Sequence, residues 1–165
     1  MLSPAQTKNL SSAAAAAVQA EQQTGCPADL TIVQWALESG WGEHTPAHSN
    51  NPFGIKARPG EQYVESQTEE VVKGERVKLI QRFRIFATLA DAFIEHGNLI
   101  TTGTPYAEAW EQYETDENLV NLIKGVALHY STTPPSIYSG KLLEILIMKP
   151  VQDALTEARR QAIAV

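Results

Sequence analysis

Residues 27–42 read PADLTIVQWALESGWG and place one carboxylate, Glu38, at the end of a strongly apolar helix. Pro27 suits the first turn of that helix, because its missing N–H would have no partner there. Apolar side chains then dominate residues 30–37, so nearly every face of the helix is expected to be buried. Gly40 marks the point where the helix must stop.

A carboxyl group at this position meets two effects that raise its pKa. Burial disfavours the anion, and the negative end of the helix dipole repels it. Such a group can hold a proton near neutral pH, which is what a general acid in glycosidic-bond cleavage requires. Glu38 is therefore the first candidate catalytic residue.

The flanking sequence predicts helices interrupted by one β-hairpin. Residues 4–23 are rich in alanine and glutamine and favour a helix, whereas residues 43–60 contain three prolines and two glycines and predict a long loop. Alternating apolar and basic residues predict a strand up to Phe86, paired with residues 63–72 across a turn at Lys73–Gly74. Helical spacing resumes after Phe86 and continues to an amphipathic C-terminal helix at 151–164, so we predict one domain over 1–165.

Several motifs occur in a consistent order along residues 25–148. They are ALESGWG (36–42), SNNPFGIKA (49–57), FRIF (83–86), AFIEHGNLI (92–100), TPYAEAW (104–110) and YSTTPPSIYSGKL (130–142). Together they resemble the glucosaminidase domain family of bacterial and phage peptidoglycan hydrolases. The resemblance implies an α+β, predominantly helical, lysozyme-like fold with a small inserted β-hairpin lobe. It also implies an enzyme that cleaves the β-1,4 bond between N-acetylglucosamine and N-acetylmuramic acid.

The same resemblance assigns three catalytic candidates. Glu38 occupies the general-acid position of the family, and Tyr130 matches a tyrosine whose hydroxyl helps to place the reacting groups. The second family carboxylate precedes the turn glycine by four residues, which selects Glu70, with Glu69 as the alternative. Because neighbouring residues of a strand point to opposite faces, only one of these two glutamates can face a cleft.

The candidate substrate-binding residues form a second group. The family match and the side-chain chemistry select Trp41, Asn51, Phe53, Tyr106 and Glu69. Asn51 and Phe53 also belong to a turn that would hold the loop in shape. Trp41 could stack on a sugar ring or equally pack in the core.

Two alternative functions stay open at this stage. A muramidase or lytic transglycosylase would share the fold and a single glutamate at the end of a helix, but it would cut the other glycosidic bond. A wall-binding or phage structural module would keep the fold without activity. The mechanism is also open between inversion, with the second carboxylate as base, and retention assisted by the N-acetyl group of the substrate.

Composition excludes several other classes of protein. The net charge is -6, with 13 basic and 19 acidic side chains, which disfavours a general nucleic-acid binder. The single Cys26 excludes a disulfide scaffold. Pro46 lies between His44 and His48 and disfavours a metal site at these two histidines. His96 is expected to be a hydrogen-bonded core residue. We therefore predict no metal and no cofactor.

The expected partner is the glycan strand of peptidoglycan, bound by a monomer that neither inserts into membranes nor binds nucleic acid. No apolar run is long enough to span a bilayer, and no signal peptide is visible at the N-terminus. Action on the cell wall, in the periplasm or outside the cell, would then require release by a phage, delivery by a secretion machine, or a leader missing from this sequence.

Overall fold

Helices and one hairpin make up the part of the chain that the computed structural model describes, residues 1–164 without the side chains of Glu70 and Val71. In chain order the elements are α1 (Pro4–Thr24), α2 (Ala28–Ser39), β1 (Tyr63–Val72), β2 (Glu75–Arg84), α3 (Leu89–Thr102), a 3₁₀ turn (Thr104–Tyr106), α4 (Ala107–Asp116), α5 (Leu119–Tyr130), α6 (Pro135–Leu146) and α7 (Lys149–Ile163). The predicted α+β, predominantly helical class is confirmed.

The core is built around α1 and α2. Alanine dominates the buried side of α1, and such small side chains let neighbouring helices approach closely, so α1 packs against α2, α3 and α7. Helix α2 is buried from Ala28 to Ala36 except at the partly exposed Asp29. It also contacts α6, and these contacts hold its C-terminal end in a defined place.

Gly40 ends α2 in a left-handed conformation, with φ of 55°. Its N–H donates to the carbonyl of Ala36, which is a common way for a helix to end. A Cβ atom at this position would lie 2.5 Å from Cδ2 of His44. The left-handed backbone angle therefore favours glycine directly after the end of α2, and any larger residue there would have to displace the ring of His44.

The hairpin is a two-stranded antiparallel sheet with the predicted turn at Lys73–Gly74. Both turn residues have positive φ, as two-residue hairpin turns require. The inner face of the hairpin carries half-buried or buried residues, namely Val64, Ser66, Thr68, Val77, Leu79, Gln81 and Phe83. The outer face is open to solvent, and Ile80 on this face is 73% exposed.

The loop between α2 and β1 ties the base of the hairpin to the helices. A β-bridge joins Lys56 to Phe83, and the N–H of Arg84 donates to the carbonyl of Ile55 at 2.9 Å. Phe86 completes the junction, because its N–H donates to the carbonyl of Ser49 at 2.8 Å. The predicted long loop is thus an ordered connector between the hairpin and the helical part.

Three local predictions need correction. Helix α7 begins at Lys149, so Pro150 lies inside its first turn, where proline is tolerated, and does not precede it. Leu99, which helical spacing with Ala92 and His96 places on the buried face of α3, is 42% exposed, because it lies at the edge of that buried face. Pro27 precedes the first turn of α2 and forms its cap.

No helix among the described residues is long and apolar enough to cross a membrane.

Candidate active site

A cleft with a volume of about 280 Å³ lies between the C-terminal end of α2 and the hairpin. Glu38 stands on the helical side, and Phe83 and the middle of β1 form the opposite side. The lining residues are Glu38, His44, Pro46, Asn51, Pro52, Phe53, Gly54, Ser66, Gln67, Thr68 and Phe83. Of the predicted site residues, the cleft therefore brings together Glu38, Asn51 and Phe53.

Glu38 is exposed towards this cleft, while protein atoms crowd its carboxyl group from behind. The resulting loss of solvent raises the pKa of Glu38 above its ordinary value. A hydrogen bond from the hydroxyl of Tyr138 to Oε1, at 2.7 Å, acts in the opposite direction but is the smaller effect. The carboxyl group is thus biased towards its protonated form, as the sequence suggested.

Tyr138 is the middle member of a buried chain of hydrogen bonds that ends at Glu38. Its hydroxyl oxygen accepts a hydrogen bond from Nε2 of Gln34 at 3.2 Å. Burial and the charge of Glu38 raise the pKa of Tyr138, so the phenol keeps its proton. Oε1 of Gln34 is buried and has no hydrogen-bond partner among the described residues.

Aromatic rings form a continuous row behind this chain. Tyr130 stacks on Tyr138 with ring centroids 6.1 Å apart and an interplanar angle of 14°. His96 meets Tyr130 edge-on at 5.6 Å and stacks on Phe53 at 4.3 Å. Tyr106 lies 6.3 Å from Tyr130, so Tyr106 and Tyr130 both contribute to this row.

The Tyr130 hydroxyl has no hydrogen-bond partner within the described residues. Burial raises its pKa well above the ordinary value, and electrostatic interactions with Tyr138 and Glu38 add to this effect. Tyr130 is therefore a neutral phenol close to Glu38. Direct contact with Glu38 is made by Tyr138 instead.

His96 lies in the core as predicted, but the prediction that it is hydrogen-bonded there is wrong. The side chain is fully buried, and neither ring nitrogen has a hydrogen-bond partner among the described residues. Burial lowers the pKa of His96 to about 3, so the ring is neutral near neutral pH. The imidazole fills its place by stacking on Phe53 rather than by donating a proton.

Asn51 clamps the loop to the base of the hairpin. Its Nδ2 donates to the carbonyls of Ile55 at 2.8 Å and Arg84 at 2.9 Å, and its Oδ1 accepts from the N–H of Ile55 at 3.0 Å. The side chain is completely buried. These bonds account for the loop-holding part of the Asn51 prediction.

Trp41 packs beside the core. Its ring meets Trp35 edge-on with centroids 6.1 Å apart, and its carbonyl accepts a hydrogen bond from Nδ2 of Asn9 at 3.0 Å. Trp41 is not among the described residues that line the cleft. The packing alternative for this indole therefore has direct geometric support.

The two candidate glutamates of the hairpin occupy neighbouring positions of β1. Glu69 pairs with Lys78 and is exposed on the outer face of the hairpin. Glu70 pairs with Val77 in the strand register, and its side chain lies outside the described residues. Glu69 itself is not among the described residues that line the cleft, although Gln67, two positions earlier in the same series of β1, is.

Sequence reasoning did not single out Tyr138 or Gln34, and it considered His44 only as a metal ligand, which it disfavoured. Tyr138 belongs to the same motif as Tyr130, and Gln34 precedes Glu38 by one helical turn. Both residues could therefore have been identified as candidates from the sequence. A polar residue on an otherwise apolar helix was the available signal for Gln34, because buried amides usually need a partner. Within the described residues, no cluster of three or more potential ligands could hold a metal ion.

Comparison with known proteins identifies the same family that the sequence motifs resemble. Residues 14–148 match the model of the glucosaminidase family, described as mannosyl-glycoprotein endo-beta-N-acetylglucosaminidase. The chain is 30% identical to peptidoglycan hydrolase FlgJ of Escherichia coli (strain K12) over 146 residues, which cover 84% of this chain and 45% of that protein. It is 36% identical to exo-glucosaminidase LytG of Bacillus subtilis over 78 residues, which cover 47% of this chain and 28% of LytG.

Among solved structures, a peptidoglycan hydrolase mutant from Sphingomonas sp. A1 has a similar fold, with a TM-score of 0.74 and 25% identity. The match covers 92% of this chain and 99% of that one, and the predicted lysozyme-like fold is confirmed. The chain spans less than half the length of the two curated relatives above. The family match covers most of the chain and includes the cleft and Glu38; the chain therefore belongs to the glucosaminidase family and is an enzyme of the glycoside hydrolase class.

Proposed function

We propose that this chain hydrolyses the β-1,4 bond between N-acetylglucosamine and N-acetylmuramic acid in peptidoglycan, with Glu38 as general acid. The observation that carries the proposal is the cleft-facing carboxyl group of Glu38, whose pKa is raised by loss of solvent. FlgJ, a peptidoglycan hydrolase, and LytG, an exo-glucosaminidase, supply the substrate class and the sugar. Action at the cell wall follows from that substrate.

In the proposed reaction, Glu38 donates its proton to the glycosidic oxygen as the C–O bond breaks. The remaining sugar acquires oxocarbenium character, and a water molecule attacks its anomeric carbon. The water gives up a proton, and the leaving sugar departs as an alcohol, so one water molecule is consumed for each bond. Because the acid must be protonated at the start, a raised pKa keeps Glu38 competent at higher pH.

Glu70 is the proposed second carboxylate. Position 70 continues the series 64, 66 and 68 along β1, and Ser66 and Thr68 of this series line the cleft. The other series contributes Gln67 to the cleft lining, but Glu69 of that series is exposed beside Lys78. We therefore favour Glu70 over Glu69 for catalysis. A role for Glu69 in binding substrate stays a prediction.

The proposed sugar contacts come from the loop and the aromatic row. Phe53 lines the cleft directly, and Asn51 holds its loop in place. Tyr106 and Tyr130 lie in the row of rings behind Glu38, and Tyr130 is proposed to help place the reacting groups. Trp41 packs on Trp35 and is half-buried, and a sugar contact for this residue stays a prediction.

The test is digestion of purified peptidoglycan, followed by borohydride reduction and mass spectrometry of the new ends, with Glu38→Gln as control. N-acetylglucosaminitol ends from the wild-type protein, and their loss in Glu38→Gln, are the expected result. N-acetylmuramitol or anhydro-muramyl ends would instead indicate a muramidase or lytic transglycosylase. Equal release by both proteins would contradict the assignment of Glu38.

The stereochemistry can be measured in the same digest. Proton NMR of the first product formed distinguishes inversion, which gives the α-anomer, from retention, which gives the β-anomer. Inversion would support Glu70 as the base that activates water, whereas retention would indicate assistance by the N-acetyl group.

A further inference from the structure

We propose that Tyr138 is a positioning residue that holds Oε1 of Glu38 and thereby leaves Oε2 to carry the acidic proton into the cleft. This inference rests on the proposed function, because it concerns how Glu38 presents its proton to the glycosidic oxygen. It gives the main positioning role to Tyr138, one helix beyond Tyr130, which the motif comparison had selected.

The direction of the hydrogen bonds follows from the chemistry of the three groups. Nε2 of Gln34 can only donate, so the hydroxyl oxygen of Tyr138 must accept at that contact. The hydroxyl proton of Tyr138 is then free to point only towards its other partner, Oε1 of Glu38 at 2.7 Å. Oε1 of Glu38 accepts this bond whether or not the carboxyl group is protonated.

Two features keep this arrangement rigid. Gln34 is fully buried and Tyr138 is 3% exposed, so water does not compete for their hydrogen bonds. The ring of Tyr138 stacks nearly parallel on Tyr130, which restricts its rotation. The helix that carries Glu38 also carries Gln34 one turn earlier, so α2 supplies both the acid and the group that directs Tyr138.

A carboxylic acid has one proton and two oxygens, and catalysis needs that proton on the oxygen that faces the substrate. With Oε1 occupied by Tyr138, the proton resides on Oε2. Glu38 is exposed towards the cleft, which gives Oε2 access to the glycosidic oxygen. Without Tyr138 the proton could reside on either oxygen and the side chain could rotate, so fewer encounters would be productive.

The first experiment measures the pH dependence of kcat for the wild-type protein and for Tyr138→Phe, with Tyr113→Phe as a matched control. Tyr113 lies on α4, outside the cleft lining. We expect kcat of Tyr138→Phe to fall by about 10- to 100-fold with little change in KM. The hydrogen bond lowers the pKa of Glu38, so its loss should move the alkaline limb of the profile to higher pH.

Gln34→Met provides an independent variant, since it removes the donor and keeps a side chain of similar size. We expect the same changes as in Tyr138→Phe, but smaller, because Tyr138 can still reach Oε1. This variant decides the question if Tyr138→Phe fails to fold in circular dichroism. An unmoved alkaline limb, with kcat within about twofold of the wild-type value, would overturn the proposal.

A second readout does not depend on activity. Carbon-13 NMR titration can follow the carboxyl carbon of Glu38, with the signal assigned from its loss in Glu38→Gln. We expect Glu38 to titrate at higher pH in Tyr138→Phe than in the wild-type protein, and equal midpoints would overturn the inference. If the wild-type protein released no reducing ends, the proposed function would fail while this titration would still decide the role of Tyr138.

Discussion

The two sides of the cleft are built in different ways. On the helical side, Glu38 is held by a buried chain from Gln34 through Tyr138, with stacked rings behind it. On the hairpin side, the inner face is half-buried and the outer face is open to solvent. An isolated two-stranded hairpin has little stability of its own, so this side depends on the clamp at Asn51 and Phe83.

The difference indicates a division of roles. Glu38, the proposed acid, needs a defined environment to keep its proton, and a buried framework supplies it. The proposed second carboxylate at position 70 would act on water or on a bound sugar, and it belongs to a hairpin anchored mainly at its base. Substitution of the proposed catalytic groups should therefore lower the rate on either side, whereas substitutions at the base of the hairpin should mainly lower stability.

The largest expected effect separates the two neighbouring glutamates of β1. We expect Glu70→Gln to lower the rate of peptidoglycan cleavage by about 10²- to 10⁴-fold, because a general base typically contributes that much. Glu69→Gln is the comparison variant. We expect its kcat to stay close to the wild-type value and any change to be confined to KM, since Glu69 is exposed beside Lys78 and is predicted only to bind substrate. Rates of reducing-end release measure both, and the reverse order would transfer the catalytic role to Glu69.

The next effect tests the anchoring of the hairpin. Phe83 is 7% exposed and lines the cleft, and Nζ of Lys56 lies over its ring at 4.8 Å from the centroid. Ile80 on the same strand is 73% exposed. We expect Phe83→Ala to lower the free energy of unfolding by about 3 kcal/mol, and Ile80→Thr to change it by less than about 0.5 kcal/mol. Urea unfolding monitors both, and similar losses for the two variants would contradict the inward orientation of Phe83.

Asn51 tests the same anchor through hydrogen bonds. Asn51→Ala leaves the carbonyls of Ile55 and Arg84 and the N–H of Ile55 without this partner, and we expect a loss of about 2 kcal/mol in unfolding free energy. Asn98→Ala is a matched control, because Asn98 is exposed on α3. Thermal and urea unfolding compare the two variants. Equal stability of both would show that the hydrogen bonds of Asn51 do not anchor the loop.

The smallest effect concerns the helical side and depends on pH. Because the pKa of Glu38 is raised in the folded chain, the charged form is disfavoured there, and the resulting loss of stability is present above that pKa. It disappears as the pH falls and Glu38 is protonated in both states. We therefore expect Glu38→Gln to have a slightly higher Tm than the wild-type protein near pH 7 and no advantage near pH 4.

This last prediction is measured by calorimetry at the two pH values. A Tm advantage for Glu38→Gln that is equal at both pH values would show that the carboxyl group pays no desolvation cost. In that case the environment of Glu38 would be no different from that of an ordinary surface carboxylate, and the contrast between the two sides of the cleft would be lost.

Most of the local structure was predictable from short-range patterns. The strand Tyr63–Val72, the turn at Lys73–Gly74 and the cap of α3 by Thr88 with Asp91 all depend on residues within a few positions of one another. Alternation and capping act over such distances, so a single sequence carries them. The helix boundaries moved by a few residues where proline could act either as a cap or as a first-turn residue.

The partners of the site residues were not predictable in this way. Tyr138 is 104 positions from Gln34 and 100 from Glu38, and their contact depends on how α6 packs against α2. His96 was placed in the core by its spacing, but the absence of a hydrogen-bond partner among the described residues depends on the rings of Phe53 and Tyr130. Hydrophobic periodicity predicts which face of a helix or strand is buried, but it does not predict which residues that face contacts.

The sequence by itself therefore determined the order of elements, the family, and the glutamate at the end of α2, because all three are written in local patterns and motifs. The tertiary structure decided which tyrosine touches that glutamate, which face of the hairpin meets the cleft, and which side chains anchor the loop. These outcomes depend on packing between elements far apart in the chain, where distances of a few tenths of an ångström decide whether a hydrogen bond forms.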